Sequence, residues 1–166
     1  MHLYLAGPLF TQAERAWNRR LADLIAAGGH SVFLPQEEVQ AIATLDAATI
    51  FGVDVDGVRS ADAVLAVVDG ADPDSGTSFE VGLAFALGIP VVLVRTDFRA
   101  GGDALPGQLL ATVNLMLSQA AAAVVALPDP GATLEALAAA TLAALASLPT
   151  ALPRVERLTG AGSPRA

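Results

Sequence analysis

The sequence predicts an α/β fold in which helices cover both faces of a parallel β-sheet. Short apolar segments of strand length alternate along the chain with longer segments of helical periodicity. That alternation is typical of strand–helix–strand units, whose strands run parallel. The chain has 166 residues, of which 54% are hydrophobic and 16% are charged. This length and composition fit one domain with a sizeable core.

The first strand and the first helix are predicted at the N-terminus. Residues 2–6 form the strand, which a Gly-Pro pair at 7–8 ends. Thr11 and Glu14 have the spacing of a capping box, in which each side chain bonds the other residue's backbone at a helix start. The helix then continues to a Gly-Gly pair at 28–29. Its predicted apolar stripe is Ala13, Trp17, Leu21 and Leu24.

Two further strands and one helix are predicted in the next part of the chain. Residues 31–34 form the second strand, and Pro35 stops it. Residues 36–46 are predicted as a loop or an irregular helix. A regular helix then runs to about Ser60, and the apolar segment 63–68 forms the third strand.

The pattern continues with two more strand–helix pairs. A helix is predicted over 78–87 and the fourth strand over 91–94. Residues 96–107 carry several glycines and prolines and are predicted as a mobile loop. A helix over 114–120 and the fifth strand over 122–127 follow.

The last helix is predicted to open at the Asp-Pro pair 129–130 and to pack through one leucine stripe. That stripe is Leu134, Leu137, Leu142, Leu145 and Leu148. Residues 1–148 are therefore predicted as one domain, and residues 149–166, which lack an apolar pattern, as a flexible tail. Five strands in this order favour a flavodoxin-like, doubly wound, five-stranded parallel sheet over a barrel.

The composition excludes several classes of function. The net charge is -8 and no basic cluster occurs, so nucleic acid is not expected as a partner. The absence of cysteine excludes a disulfide framework and a thiolate nucleophile. The N-terminus lacks the charged region of a signal peptide, and no apolar stretch is long enough to span a membrane. We therefore expect a cytoplasmic protein with no membrane partner.

The available side chains favour chemistry carried out mainly by carboxylates. The chain has no lysine, which excludes a P-loop lysine and a Schiff-base lysine. His2 and His30 are its two histidines, and neither has a partner at metal-ligand spacing. If the protein is an enzyme, carboxylates must therefore do most of the work.

Glu80 is the acid whose position is most informative. It lies near the start of the helix that follows the third strand, at the carboxyl end of that strand, where open α/β sheets bind ligands. One interpretation is structural, because Thr77 and Glu80 have capping-box spacing. The other is catalytic, because a helix N-terminus favours the ionised carboxylate that a nucleophile needs. The small Gly76 nearby would let a ligand approach the backbone closely.

Three other residues also have both a structural and a functional interpretation. Asp54 shares the apolar face of its helix, where a charge is costly unless it is paired or functional; a helix end turned to water is the alternative. Asp74 fits an ordinary turn as well as a reaction centre. Tyr4 lies in the first strand, and its buried hydroxyl needs a partner. If that strand neighbours the third, the hydroxyl can reach Glu80; otherwise Tyr4 is a core residue.

The chain resembles the nucleoside 2-deoxyribosyltransferase family in four segments that occur in family order. Residues 4–10, Tyr-Leu-Ala-Gly-Pro-Leu-Phe, resemble its opening strand and loop, and residues 54–62 resemble its middle segment. Residues 74–82 match its signature, Asp-x-Gly-Thr-x-x-Glu-x-Gly. Asn-Leu-Met at 114–116 resembles a late tripeptide of the family. Together the segments extend over roughly residues 3–127, which makes the resemblance far more specific than any single motif.

The resemblance implies exchange of the base on a 2'-deoxyribonucleoside in two displacements. By analogy Glu80 attacks the anomeric carbon and forms a covalent deoxyribosyl-enzyme, while Tyr4 orients Glu80. Asp74, with Asp54, would handle the base, either by protonating it or by holding its edge. Asn114 would reach the sugar in a neighbouring subunit's site, so the active site would need an oligomer.

The resemblance further implies that Gly7, Gly76 and Gln36 contact substrate, with Gln36 as a base contact. It implies no metal and no cofactor. The expected partners are 2'-deoxyribonucleosides and free nucleobases, in nucleotide salvage. The expected assembly is a homo-oligomer, from a dimer to a hexamer, with shared active sites.

Two alternative functions remain open from the sequence. A 2'-deoxynucleoside 5'-monophosphate N-glycosidase, from the same superfamily, uses water as the acceptor. Those enzymes resemble this loop but have a serine in place of Asp74 to hold the phosphate. A carboxylate at that position would repel phosphate, which favours nucleosides. The other alternative is a non-catalytic nucleotide-binding domain, which would bind its ligand without turnover.

Overall fold

The structure is a computed structural model, and it describes residues 1–39, 46–97, 113–127, 129 and 131–148. Most of the loop predicted over 96–107 and all of the tail predicted over 149–166 lie outside the described residues. Part of the 36–46 segment also lies outside them.

Five strands form one parallel sheet. They are β1 (His2–Ala6), β2 (Ser31–Phe33), β3 (Ala63–Val67), β4 (Val91–Arg95) and β5 (Ala123–Ala126). Their order across the sheet is β2-β1-β3-β4-β5, which confirms the predicted flavodoxin-like arrangement. The strand bounds agree with the predictions to within one residue at each end. Because β1 lies beside β3, the strand order reverses between them, and the ligand crevice of such sheets lies at this switch point.

Helices cover both faces of this sheet. They are α1 (Gln12–Ala27), α2 (Pro35–Glu38), α3 (Ala47–Ser60), α4 (Ser75–Leu87), α5 (Leu115–Ala120) and α6 (Leu134–Ala146). The predicted capping box of Thr11 and Glu14 is present at the start of α1. In the described part of the chain, no helix combines the length and the apolar character needed to cross a membrane.

The core has two halves, one on each face of the sheet. Leu3 and Leu5 of β1 point to the face covered by α1 and α6, where Leu21 packs. Tyr4 points to the opposite face, where it packs with Val81 of α4 and with residues of α3 and α5. This division follows from the alternation of side chains along a strand. Consequently β1, buried on both faces, carries Tyr4 towards the helix that holds Glu80.

The start of α4 differs from the prediction in a way that matters for Glu80. The helix begins at Ser75, and its N-cap is Asp74, whose side chain accepts a hydrogen bond from the Thr77 amide. The predicted capping box of Thr77 and Glu80 is therefore wrong. Asp74 takes the cap because its short carboxylate reaches an amide three residues on. Glu80 lies in the second turn of α4, and its side chain does not cap the helix.

Two other helices also differ in detail from the prediction. The N-cap of α6 is Thr133, whereas Asp129 accepts from the Gly131 amide in the preceding turn. In α1 the buried residues include Asn18 and Leu21, while Ala13 is exposed. The buried face of α1 is thus rotated from the predicted stripe, since a buried polar residue does not count in an apolar pattern.

A glycine in α3 lets an aromatic pair pack directly on the helix backbone. The rings of Tyr4 and Phe33 stack with centroids 5.3 Å apart and planes at 18°. A Cβ placed on Gly57 would lie 2.8 Å from two atoms of the Phe33 ring and 2.9 Å from Tyr4 Cε2. Such distances are well below ordinary carbon contacts. Glycine at this position therefore sets how closely α3 approaches the tyrosine.

Candidate active site

A cleft of about 450 Å³ opens at the carboxyl edge of the sheet. Its lining residues follow β1, β2 and β3 or come from α1, α3 and α4. They are Gly7, Leu9, Phe10, Arg15, Pro35, Gln36, Val39, Ile50, Asp54, Asp74, Gly76, Thr77 and Glu80. Most of the residues assigned from the sequence thus lie around one cavity at the switch point of the sheet.

Tyr4 and Glu80 form the central contact of this cleft. The fully buried Tyr4 hydroxyl donates a hydrogen bond to Oε1 of Glu80 at 2.5 Å. The contact exists because β1 lies beside β3, which is the condition stated for it in the sequence analysis. Among the described residues, Oε2 of Glu80 has no hydrogen-bond partner. Glu80 therefore presents one fixed oxygen and one oxygen that remains available for chemistry.

Burial dominates the titration of Glu80. It raises the pKa of this carboxyl from its ordinary 4.5 to about 7, while the hydrogen bond from Tyr4 opposes the rise. The charges of Asp54 and Asp74 raise the pKa further. The expectation that the free amides at the start of α4 favour the ionised form of Glu80 is wrong. Those amides lie one turn before Glu80, and Asp74 caps them. At neutral pH the protonated and ionised forms of Glu80 are both populated.

Tyr4 keeps its proton under the same conditions. Burial raises its pKa far above the usual range, and the neighbouring charge of Glu80 raises it further. The hydroxyl is therefore a permanent donor towards Glu80. In this arrangement Tyr4 stabilises the ionised form of Glu80 against the effect of burial.

Asp54 is a half-buried carboxyl on α3 with an unsatisfied oxygen. In the described part of the chain, its buried Oδ1 has no hydrogen-bond partner. Burial raises its pKa, which favours the protonated form. Asp56, two residues on, is exposed and pairs with Arg59 at 3.6 Å. Asp56 thus behaves as an ordinary surface carboxylate of α3, whereas Asp54 is partly buried, without a partner among the described residues, because it faces the cleft.

Asp74 is held by the start of α4. Its Oδ2 accepts from the Thr77 amide at 2.9 Å and from the Thr77 hydroxyl at 3.3 Å. A Cβ on Gly76 would come within 3.0 Å of the same oxygen, so the glycine leaves room for this cap. Asp74 therefore enters the cleft in a fixed position, and Oδ1 is its oxygen without a partner among the described residues.

The loop between β3 and α4 is anchored to the end of β4 by residues that sequence reasoning did not select. Asp69 accepts from the backbone amides of Thr96 at 2.6 Å and of Asp97 at 2.9 Å. Arg95, only 2% exposed, donates to the backbone carbonyls of Val68 and Gly70. The signal available in the sequence was an arginine directly after the apolar segment 91–94. These contacts fix the approach to Asp74 and Glu80.

A second set of contacts shapes the side of the cleft formed by α1 and α2. The buried Asn18 donates to the Pro8 carbonyl at 2.9 Å and to Oε1 of Gln36 at 3.4 Å. Gln36 in turn donates to the Arg15 carbonyl at 2.9 Å. Both ends of the Gln36 amide are thus engaged within the protein, which makes this residue part of the wall of the cleft. Asn18 was missed, although a polar residue three before Leu21 on the buried face of α1 was a visible signal.

Gly7 and Asn114 have different positions relative to the cleft. Gly7 lines it, and a Cβ there would lie 3.2 Å from Cβ of Val67 at the end of β3. Asn114 is the N-cap of α5, where its Oδ1 accepts from the Met116 amide at 2.9 Å. It does not belong to the lining formed by its own chain. Within the described ranges, no three His, Asp or Glu side chains lie close enough to hold a metal ion.

The chain is similar to known proteins in sequence and in fold. The model of one family, described as nucleoside 2-deoxyribosyltransferase, matches residues 3–116. No curated protein matches the chain in sequence. A conserved protein from Enterococcus faecalis V583 is 32% identical with a TM-score of 0.65, and the match covers 84% of this chain and 95% of that one.

Two solved 2-deoxyribosyltransferases are also similar. The enzyme from Bacillus psychrosaccharolyticus is 25% identical with a TM-score of 0.60, covering 75% of this chain and 85% of that one. The enzyme from Leishmania mexicana is 24% identical with a TM-score of 0.60, covering 88% of this chain and 97% of that one. At that identity the likeness to the Leishmania enzyme bears on the fold alone.

Proposed function

Because the chain belongs to the nucleoside 2-deoxyribosyltransferase family, we propose that it exchanges the nucleobase of 2'-deoxyribonucleosides. The observation that carries the proposal is the 2.5 Å hydrogen bond from Tyr4 to Glu80 in the cleft at the switch point. It supplies a carboxylate with one oriented oxygen and one available oxygen. That is the arrangement a carboxylate nucleophile needs.

The first displacement forms a covalent deoxyribosyl-enzyme. Oε2 of Glu80 bonds to C1' of the sugar while the bond from C1' to the base nitrogen breaks. The electron pair of that bond stays on the base, which takes a proton as it leaves. Asp54 is the better-supported proton donor, because burial raises its pKa and its Oδ1 has no partner among the described residues. Asp74 would then hold the edge of the base or the sugar.

The second displacement transfers the sugar to another base. A nitrogen of the incoming base bonds to C1', the bond from C1' to Oε2 breaks, and Glu80 regains its electron pair. The proton that the incoming base loses returns to Asp54. Two inversions at C1' give net retention. The apolar lining, which includes Leu9, Phe10 and Val39, favours a flat base over water as acceptor.

Two incubations test this function, one with deoxyinosine and adenine and one with deoxyinosine 5'-monophosphate and adenine. We expect deoxyadenosine and free hypoxanthine to form together, and chromatography measures both. Hypoxanthine released only from deoxyinosine 5'-monophosphate, without deoxyadenosine, would instead indicate the N-glycosidase. A lack of turnover with every donor and base would contradict an enzymatic function.

We also propose a homo-oligomer in which Asn114 completes the site of a neighbouring subunit. Asn114 does not belong to the lining of its own chain's cleft. The exposed rings of Phe51 and Phe79 lie 5.8 Å apart on α3 and α4. Both line a recess next to Glu80, which leaves an apolar surface suited to a second subunit.

Mixing two inactive variants tests the shared site. Glu80→Gln and Asn114→Ala subunits, unfolded together and refolded, are expected to regain activity, because one site of each hybrid pair then has both residues intact. Exchange is assayed before and after mixing, and light scattering confirms the assembly. Activity no higher than the sum of the separately refolded variants would show that the site is not shared.

A further inference from the structure

We propose that Arg15 determines which base the cleft accepts, by favouring 6-oxopurines such as hypoxanthine and guanine over adenine. The proposal rests on the proposed function, since it concerns the base in the same cleft. It starts from the uneven distribution of polar groups between the two walls of the cavity.

One wall is polar and the other is largely apolar. The wall formed by the start of α4 carries Asp74, Thr77 and Glu80, and it suits the sugar. The opposite wall contains Leu9, Phe10, Pro35, Val39 and Ile50, which suit the faces of a planar base. Among the described residues of the lining, the polar side chains besides Thr77 and the carboxyl groups are Arg15 and Gln36. A base edge that faces away from the carboxyl groups of Asp54 and Asp74 can therefore meet one of these two.

The side-chain amide of Gln36 is hydrogen-bonded within the described structure, whereas the guanidinium of Arg15 is not. The Gln36 amide donates to the Arg15 carbonyl and accepts from Asn18. In the described part of the chain, the Arg15 guanidinium makes no hydrogen bond and no ion pair. Arg20, which lies further along α1, pairs with Glu135 at 3.2 Å. Among the described residues of the cleft lining, Arg15 is thus the cation whose donors remain for a ligand.

The chemistry of a guanidinium decides which base it selects. Arginine has only donors, and its fork matches two neighbouring acceptors. Guanine and hypoxanthine present two acceptors, O6 and N7, along one edge, whereas adenine presents the N6 amino donor beside N7. Arg15 can therefore pair with both atoms of a 6-oxopurine edge, but only with one of adenine.

A 5'-phosphate is the other group that an arginine binds well. The cleft disfavours it, because Asp54, Asp74 and Glu80 all line the same cavity. Even with Asp54 protonated, as the first displacement requires, the ionised Glu80 and the carboxyl group of Asp74 lie in the same cavity as the one guanidinium, which opposes a dianion. A neutral base with an acceptor edge avoids this repulsion, so the observations favour base recognition.

Competition between two acceptors tests the role of Arg15. With deoxyguanosine as donor, equal concentrations of hypoxanthine and adenine draw on the same deoxyribosyl-enzyme, so the initial ratio of deoxyinosine to deoxyadenosine reports base recognition alone. We expect the wild type to favour hypoxanthine and Arg15→Met to lower the ratio about tenfold or more, as for loss of a bidentate arginine contact. Arg15→Gln should lower it further, because glutamine pairs with N6 and N7 of adenine. Arg20→Met is the matched control and should leave the ratio unchanged.

Calorimetry with the free bases separates this inference from the proposed function. We expect the wild type to bind hypoxanthine more tightly than adenine, and Arg15→Met to lose that difference. This result would support the role of Arg15 even if no exchange were seen. Equal affinities in the wild type, or an unchanged product ratio in both Arg15 variants, would overturn it. A selective loss of turnover with deoxyguanosine 5'-monophosphate at an unchanged base ratio would also overturn it, by assigning Arg15 to phosphate.

Discussion

Glu80→Gln is expected to reduce the rate of base exchange by on the order of 10⁴-fold or more, as for removal of other enzymatic nucleophiles. Glutamine keeps the size of the side chain and an oxygen that accepts from Tyr4, but it has no charge with which to attack C1'. The position of α4 and the shape of the cleft should therefore be preserved. The measurement is deoxyadenosine formation from deoxyinosine and adenine, with circular dichroism to verify the fold.

The same substitution is expected to stabilise the protein at high pH. Glu80 has a folded-state pKa of about 7, above its ordinary 4.5. Between these values the folded chain holds more protons than the unfolded chain, so the contribution of Glu80 to the free energy of unfolding falls as pH rises. The loss is complete about one pH unit above this folded-state pKa and amounts to on the order of 3 kcal/mol. Glutamine does not titrate, so the variant does not lose this free energy of unfolding as pH rises.

Urea unfolding at pH 8 and pH 4 measures this difference. The Glu80→Gln variant should exceed the wild type in free energy of unfolding at pH 8, and the two should be similar at pH 4. Glu38 is exposed and outside the cleft lining, so Glu38→Gln is the matched control and should change neither stability nor exchange. Retained exchange in Glu80→Gln would refute its role as nucleophile. A variant less stable than the wild type at pH 8 would refute the cost of the buried charge.

Tyr4→Phe is expected to lower kcat/KM for exchange about ten- to a hundredfold at pH 7. A hydrogen bond to a charged group contributes about 1.5–3 kcal/mol, which corresponds to that range. The bond also lowers the pKa of Glu80, so its loss lets burial raise that pKa further above about 7. Since the attacking form of Glu80 is ionised, activity falls as pH drops below this pKa. The fall should therefore begin at higher pH in the variant.

A pH profile of kcat/KM from pH 6 to 9 separates two effects of the hydroxyl. Activity lost through protonation should return at alkaline pH, whereas activity lost through misorientation of Glu80 should not. Phenylalanine retains the ring that stacks on Phe33, so the core should remain intact. A variant with the wild-type rate and the wild-type profile would show that Tyr4 is only a core residue.

The sheet could be predicted from the sequence because its determinants are local. Each strand is a short apolar segment ended by glycine, proline or a polar residue, and alternation with helices specifies parallel pairing. The position of β1 beside β3 follows from the fold class. The sequence analysis could therefore predict that Tyr4 reaches Glu80 if these two strands are neighbours. The family resemblance selected Asp54 from one segment and Asp74 and Gly76 from another, and all three line one cleft in the structure.

The features that escaped prediction have one local cause, a competition between two possible caps, and two causes in tertiary packing. Thr77 and Glu80 had the spacing of a cap, but Asp74 competes for the same amides, and only the helix start decides between them. Arg95 is buried because it satisfies carbonyls of another strand's loop, a partnership that periodicity does not reveal. The ionisation of Glu80 was misjudged for a related reason, since burial is set by the packing of the whole cleft.

The lack of a side chain at Gly57 has a consequence for how this site tolerates variation. The stacked rings of Tyr4 and Phe33 lie against the α3 backbone, and Tyr4 donates a hydrogen bond to Glu80, the proposed nucleophile. The missing side chain at position 57 therefore sets how close α3 lies to the residue that orients Glu80, although Gly57 does not belong to the cleft lining. If the proposed function holds, libraries that seek new base specificity should keep this glycine fixed and vary the apolar wall, so that the position of Glu80 is preserved.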